Sequence, residues 1–313
     1  MAHLARIAGI RRPAALVQTY RSAFESAARC SVARRYFATS PASVDVGIAP
    51  GLSKAEQIAA KNRNIDQGGI WSELPSAVQK SLQDPGKIRF LGWLGHGVTR
   101  GKAAIIELVT HDEAQAIIRC MGTSASRAGV MTADRTAELY VGRVNTARHL
   151  ISDQTLADCF FARFKCCAAP SEGLAPGFYG KDGSSDSLLS LMHFGTQVVA
   201  VSEKIRLVTT EEGGEHQKHA DISEPSDDGL RVSRLTFQCY LNPEAYRGGQ
   251  FQLYPQDGSS PVNIDMSKGS AVVFVQEDAE LMHGGAKKGP GEAKRAIRGN
   301  LDVLLRETPT TTE

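Results

Sequence analysis

No run among the 313 residues approaches the roughly 18 consecutive apolar positions that a membrane-spanning helix needs, so no span is expected. None of the six cysteines (30, 120, 159, 166, 167 and 239) belongs to a CxxC pair, and no secretory signal precedes them. That spacing argues against a disulfide framework and leaves reduced, mostly buried thiols. The adjacent pair Cys166-Cys167 has no second pair with which to complete a zinc site. Acid is nearly missing from the first 37 residues, which hold seven arginines, no lysine and only Glu25 as a carboxylate.

An arginine-rich, acid-poor leader of this kind reads as a transit peptide, and mitochondrial rather than plastid because arginine outweighs serine. Arg35-Tyr36-Phe37-Ala38 resembles a matrix-processing site, so the mature chain is expected to begin near Ala38. A basic tail or surface helix is the plain alternative. Subtracting seven arginines and one acid from 36 basic and 34 acidic side chains leaves 29 against 33, a charge of about −4. The sequence pI near 8.2 thus belongs mostly to the leader, and no basic footprint for nucleic acid remains.

With 42% apolar residues the chain can bury one good-sized core. Residues 38–103 are rich in Gly, Ser, Pro, Gln and charge, and read as an extended accessory or linker segment with a weakly apolar patch at 88–94. The run 95–102 departs from GxxxxGK[ST] in its first glycine and in Ala103, and is taken as a turn. From Ala103 a buried strand is expected, then a helix opened by the capping box Thr110-His111-Asp112-Glu113 and ending near Met121. Leu156, Cys159, Phe160, Phe164 and Cys167 mark a second helix. Residues 169–187 break all periodicity, as a lid or insertion would. After Val198, six short apolar segments at even spacing (205–210, 230–241, 249–254, 262–264, 269–275 and 296–305) read as strands of a double-sheeted jelly roll or barrel.

The chemistry concentrates in three places. His219 and Asp221 stand two apart on a strand, so they project from one face. His283 follows the apolar strand 269–275, and two imidazoles with one carboxylate make a facial triad that leaves three sites open on a metal. Lys294 lies on the next strand. His216, three before His219, is expected on the opposite strand face as a surface or gate residue, while His96, His111, His149 and His193 read as ordinary polar or core positions.

The order HxD, about 60 residues, H, then a cation resembles the prolyl 4-hydroxylase-like branch of the Fe(II)/2-oxoglutarate dioxygenases. Gly213, Tyr240-Leu241-Asn242, Gly248-Gly249-Gln250-Phe251, Lys268 to Phe274 and Arg298 stand in register with it, and the resemblance covers roughly 104–306. It implies an α+β fold, with a double-stranded β-helix (jelly roll) core at about 198–306 backed by N-terminal helices, in a dioxygenase domain of 104–313. It implies that His219, Asp221 and His283 ligate Fe(II). The cosubstrate 2-oxoglutarate would pair its distal carboxylate with Lys294, with help from the Tyr240 hydroxyl. Arg298 and Asn300 share the inward face of that strand by alternation, as does Ala296, and Phe251 is expected as a pocket wall.

Two positions depart from the family pattern. Thr209-Thr210 stands where a tyrosine is usual, and the interval from His283 to Lys294 is one residue longer than common, so Arg298 and Arg295 compete with Lys294 as the anchor. The family consumes O2, releases succinate and CO2, and commonly uses L-ascorbate to keep iron ferrous. The resemblance favours a prolyl residue of a peptide or protein as substrate, with a free amino acid or other small molecule as the second possibility. The segments 169–187 and 222–229 flank the expected pocket mouth. A non-catalytic metal-binding jelly roll is the reading from a different class.

Overall fold

The computed structural model describes residues 69–95, 101–127, 143–170, 187–192, 197–278 and 281–305. The chain divides into two units, 1–48 and 49–313, and all described residues lie in the second. The leader, most of the 169–187 segment, His96 and His193 fall outside the described residues.

In chain order the elements are helix α1 (Ser76–Leu82), strands β1 (Arg89–Leu94) and β2 (Ala103–Glu107), helix α2 (His111–Arg127), β3 (Arg143–Ser152), α3 (Gln154–Cys166) and α4 (Leu188–Leu191). Then come β4 (Val198–Val201), β5 (Lys204–His219), β6 (Arg231–Tyr240), β7 (Tyr246–Gly248), β8 (Phe251–Leu253), β9 (Val262–Ile264), β10 (Ser270–Val275), β11 (His283–Gly285), β12 (Lys288–Gly291) and β13 (Lys294–Leu304). The main sheet runs β1-β2-β10-β6-β13-β5-β11-β8-β9, with β3 on β5 and β4 on β13, and every pairing is antiparallel. It curls into a jelly roll. Strand β5 makes the turn between its halves: residues 206–210 pair with β13, whereas His216 and His219 pair with β11. Gly213 sits between the two stretches at φ +79°, a left-handed conformation that glycine adopts without steric cost.

Alternation on β6 divides the molecule into two layers. Leu235, Phe237 and Cys239 join the larger core under the helices, where Phe237 meets Phe160 and Phe164 with ring centroids 5.7 and 5.4 Å apart. Thr236, Gln238 and Tyr240 point the other way, toward a second small core formed by Tyr240, Phe251, Val272, Phe274 and Leu281.

The helical layer is locked by one buried ion pair. Arg163 of α3, fully buried, donates to both oxygens of Glu113 at 2.8 Å and to the carbonyls of Ser81, Leu82 and Leu108. Glu113 also closes the capping box: its carboxylate accepts from Thr110 N–H at 2.8 Å, while its own N–H reaches Thr110 Oγ1. The helix so opened extends six residues beyond the expected end near Met121, to Arg127.

Residues 70–94 are not a detached wrapping segment. Ile70, Leu74 and Leu82 enter the same core as α3, and β1 pairs with β2 along its length. Asp153, the N-cap of α3, fastens the start of this stretch by accepting from Ile70 N–H and Trp71 N–H at 2.8 Å. The apolar positions 70, 74, 78 and 82 recur every fourth residue, a stripe diluted by the Gly, Pro and Ser around it. Among the described cysteines, 120, 159, 167 and 239 are buried free thiols and Cys166 is exposed. Among the described residues no helix is long and apolar enough to cross a membrane.

Candidate metal and dicarboxylate site

Pairing of β11 with β5 brings His283 directly opposite His219, and Asp221 follows two residues past the end of β5. His219 Nε2 lies 3.3 Å and His283 Nε2 3.8 Å from Asp221 Oδ1, and the three donor atoms all fall within 4.8 Å of one another. Each imidazole has its other nitrogen committed. His219 Nδ1 is 2.9 Å from the Gln217 carbonyl and His283 Nδ1 is 3.0 Å from that of Leu281. Carbonyl oxygens only accept, so both Nδ1 atoms carry the hydrogen and both Nε2 atoms present a lone pair to the shared space.

Among the described residues buried His219 Nε2 has no hydrogen-bond partner, as suits an atom available to a cation. Phe274 and Phe251 wall His283, with ring centroids 4.4 and 5.5 Å away. Burial lowers the His283 pKa to about 4 against the pull of Asp221, so the ring is neutral near pH 7, as ligation requires. Burial alone would raise the Asp221 pKa. The Arg298 guanidinium, assisted by His219, His283 and Thr236, instead holds it far below the usual carboxylate range. The donor set fits a divalent metal held by two neutral imidazoles and one carboxylate, with open positions on the pocket side.

The far end of the pocket carries Lys294. Its Nζ donates to Gly249 O at 2.7 Å and lies 4.7 Å from the centroid of the Tyr240 ring. It has no carboxylate partner among the described residues, although the side chain is buried and burial lowers its pKa to about 8. Thr210, at the position where a tyrosine was expected, pairs in register with Lys294, and its Oγ1 meets Thr146 Oγ1 at 3.3 Å. Between His283 and Lys294 the chain forms β12, which pairs with β7 and ends at Gly291 with φ +118°. A Cβ there would fall 2.5 Å from Ala245 O, so only glycine allows the detour.

The rival anchors are engaged elsewhere. Arg298 does face inward, but it donates to Asp221 Oδ2 at 2.5 Å. Arg295 turns to the opposite face, where it donates to Thr209 Oγ1 at 2.7 Å. Asn300, expected beside the cosubstrate, lies behind Asp221 and bonds Gln276 and Glu224 instead. Tyr240 contributes its ring as a floor under Lys294, and its hydroxyl bonds the Gln238 side chain.

His216 departs from its expected place. Two β11 residues, His283 and Gly285, span three intervals on β5, and this bulge rotates His216 to the pocket side, with its ring centroid 4.0 Å from that of His219. Thr146 and Arg148 of β3 also line the pocket. They were missed because β3 lies outside the evenly spaced strand series, although its Thr146-Ala147-Arg148-His149 stretch does alternate.

Residues 205–302 match the family model of the 2OG-Fe(II) oxygenase superfamily. The strands from β5 to β13 are thus those of a 2OG-Fe(II) oxygenase domain. For this 2OG-Fe(II) oxygenase the family implies Fe(II), 2-oxoglutarate and O2. Among solved structures it is similar to the viral collagen prolyl hydroxylase of Paramecium bursaria Chlorella virus-1, a 2OG complex, at 13% identity over 65% of this chain and 97% of that one, with a TM-score of 0.41. A Pseudomonas putida prolyl-4-hydroxylase is similar at 15% identity over 74% and 99%, with a TM-score of 0.39. OsALKBH1 is similar at 10% over 64% and 97%, with a TM-score of 0.41. No curated protein matches the chain.

The Lys294 ammonium gives a pH prediction. It is charged below about pH 8 and neutral above, so keto-acid affinity should be present below that point and lost as pH rises through it. The expected result is a dissociation constant for 2-oxoglutarate on Mn(II)-loaded protein that climbs by up to about tenfold per pH unit above 8. Lys294→Arg, which keeps its charge, should bind more weakly but with a flat profile from pH 7.5 to 9.5. An unchanged slope in that variant would remove Lys294 from the anchor role.

Proposed function

We propose that this oxygenase hydroxylates an unactivated C–H bond, with His219, Asp221 and His283 as the Fe(II) ligands and Lys294 as the partner of the distal carboxylate of 2-oxoglutarate. One observation carries the reading. A buried cation without a carboxylate partner among the described residues lines the same pocket as His283 of a histidine–aspartate–histidine cluster and as Arg298, which holds the Asp221 of that cluster. An anion with a carboxylate at each end satisfies both, and leaving a buried ammonium uncompensated is costly.

When bound, Fe(II) with 2-oxoglutarate and O2 supplies oxidative decarboxylation to succinate and CO2, coupled to hydroxylation. The protein residues orient and exclude water. Asp221 offers one oxygen to the metal because the other is held by Arg298 and Thr236. Phe251 and Phe274 keep the His283 side of the pocket dry. Lys294 sets the direction in which the keto-acid lies.

A prolyl residue of a peptide or protein is the substrate we favour, on the order of the sequence motifs from Gly213 to Arg298. The arginine-rich leader supports delivery to the mitochondrial matrix, and L-ascorbate is the reductant we assign. Protein recovered from mitochondria should then begin near Ala38, and recovery from that compartment with Met1 intact would contradict the processing assignment.

The test of function is Fe(II)-dependent succinate release, with a +16 Da product sought among prolyl peptides and, separately, free amino acids. Oxidation of peptides supports the first substrate class and of free amino acids the second. Oxygen uptake without succinate would overturn the reading.

A further inference from the structure

Behind the metal-facing side of Asp221 runs a chain of polar side chains, each nine-tenths or more buried. Thr236 Oγ1 is 2.7 Å from Asp221 Oδ2, Gln276 Nε2 is 2.9 Å from Thr236 Oγ1, and Ser233 Oγ is 2.7 Å from Gln276 Oε1. Beyond Ser233, the backbone N–H of Glu224 lies 2.8 Å from Ser233 Oγ. Resting on the reading of Asp221 as an iron ligand, we infer that Thr236 and Gln276 are positioning residues that force Asp221 to bind the metal through one oxygen.

The argument is one of hydrogen-bond direction. The Glu224 carboxylate only accepts, so Asn300 turns its NH2 to Glu224 and its Oδ1 to Gln276, while Ser233 Oγ accepts from the Glu224 N–H and donates to Gln276 Oε1. That fixes the Gln276 amide with its oxygen toward Ser233 and its NH2 toward Thr236. The second amide hydrogen has an acceptor in Asn300 Oδ1 at 3.2 Å. Thr236 therefore receives a hydrogen from Gln276, and among the described residues its own hydroxyl hydrogen goes to Asp221 Oδ2. A threonine hydroxyl that rotates freely can donate or accept. Here it accepts from Gln276 and is toward Asp221 a donor only.

With Arg298 donating to the same oxygen, Oδ2 faces two fixed donors, and Oδ1 alone turns to His219 and His283. Bidentate grip by Asp221 would consume one of the three positions that the keto-acid and O2 require. The chain thus links the backbone at Glu224, in the 222–229 segment, to the number of open sites on the metal. Partners of metal ligands at this remove typically contribute 10- to 100-fold to metal affinity.

Mn(II) titration of the metal-free full chain tests this, together with the visible absorption of the Co(II)-loaded protein as a report of coordination number. Thr236→Val should weaken Mn(II) about 10- to 100-fold and change the Co(II) spectrum, and Thr236→Ser should restore both. Gln276→Glu should behave like Thr236→Val, because a carboxylate cannot donate to Thr236 and would draw its hydroxyl away from Asp221. If wild-type protein binds Mn(II) no better than His219→Ala, the metal assignment itself fails. If wild type binds in a triad-dependent way and Thr236→Val, folded by circular dichroism, matches it in affinity and Co(II) spectrum, the metal assignment stands and the positioning inference is overturned.

Discussion

Alanine at His219 should end Fe(II)-dependent succinate release without lowering the melting temperature of the metal-free protein, whereas alanine at Asp221 should end the activity and lower the melting temperature too. On the proposed assignment of the iron ligands, both changes leave two where three are needed. They differ in what they leave behind. His219 Nε2 makes no hydrogen bond among the described residues and only stands 3.3 Å from Asp221 Oδ1, so its removal leaves no buried charge unpaired. Asp221 is the acceptor for Thr236 and for Arg298, whose side chain is only 11% exposed, and its loss strands a largely buried guanidinium. Breaking a pair of this kind costs roughly 3 kcal/mol, which for a domain of this size lowers the melting temperature by roughly 10 °C.

Because Asp221 has a depressed folded pKa, that stability is present above its unfolded value near 4 and is lost as pH falls, so the gap between variants should close in acid. Scanning calorimetry of the two metal-free variants from pH 4 to 8 measures it. Equal melting temperatures at pH 7 would mean the Arg298–Asp221 pair contributes no net stability.

Replacing Arg163 by methionine should be the most damaging single change away from the pocket. It removes five hydrogen bonds at once, leaving Glu113 charged and buried and the carbonyls of Ser81, Leu82 and Leu108 without this donor. Loss of one partner of a buried pair costs about 3–5 kcal/mol. Glu113→Gln on top of Arg163→Met removes the stranded charge, so the double variant should recover part of that loss in a denaturant titration. A double variant less stable than the sum of the singles would show that the charge is not what destabilises Arg163→Met.

The jelly roll was legible because buried strands carry short apolar runs between turns, and β9 falls on the expected residues 262–264. Strand β10 is likewise found within one residue of expectation. That His219, Asp221 and His283 come together was legible from the two-residue spacing of the first pair and from the strand segment that precedes His283. The sequence misleads where register matters. His216 was assigned to the far face by simple alternation, which the bulge against β11 breaks. Asn300 was placed in the cosubstrate pocket by the same alternation, which gave its side correctly but not its depth along β13, where Gln276 and Glu224 claim it.

The 70–94 segment was read as accessory because its composition is loop-like, while its burial depends on Asp153, 82 residues away from Trp71. Thr236 and Gln276 carried no motif at all. Their importance rests on hydrogen-bond direction, which only the fold assembles.

Isothermal titration of 2-oxoglutarate into Mn(II)-loaded protein tests the central claim most directly, since it asks for the triad and the cation at once. The expected result is one keto-acid bound per chain only when metal is present, no binding in His219→Ala, and binding roughly 100-fold weaker in Lys294→Met. Binding that is indifferent to metal, or no binding to the loaded wild type, would contradict it.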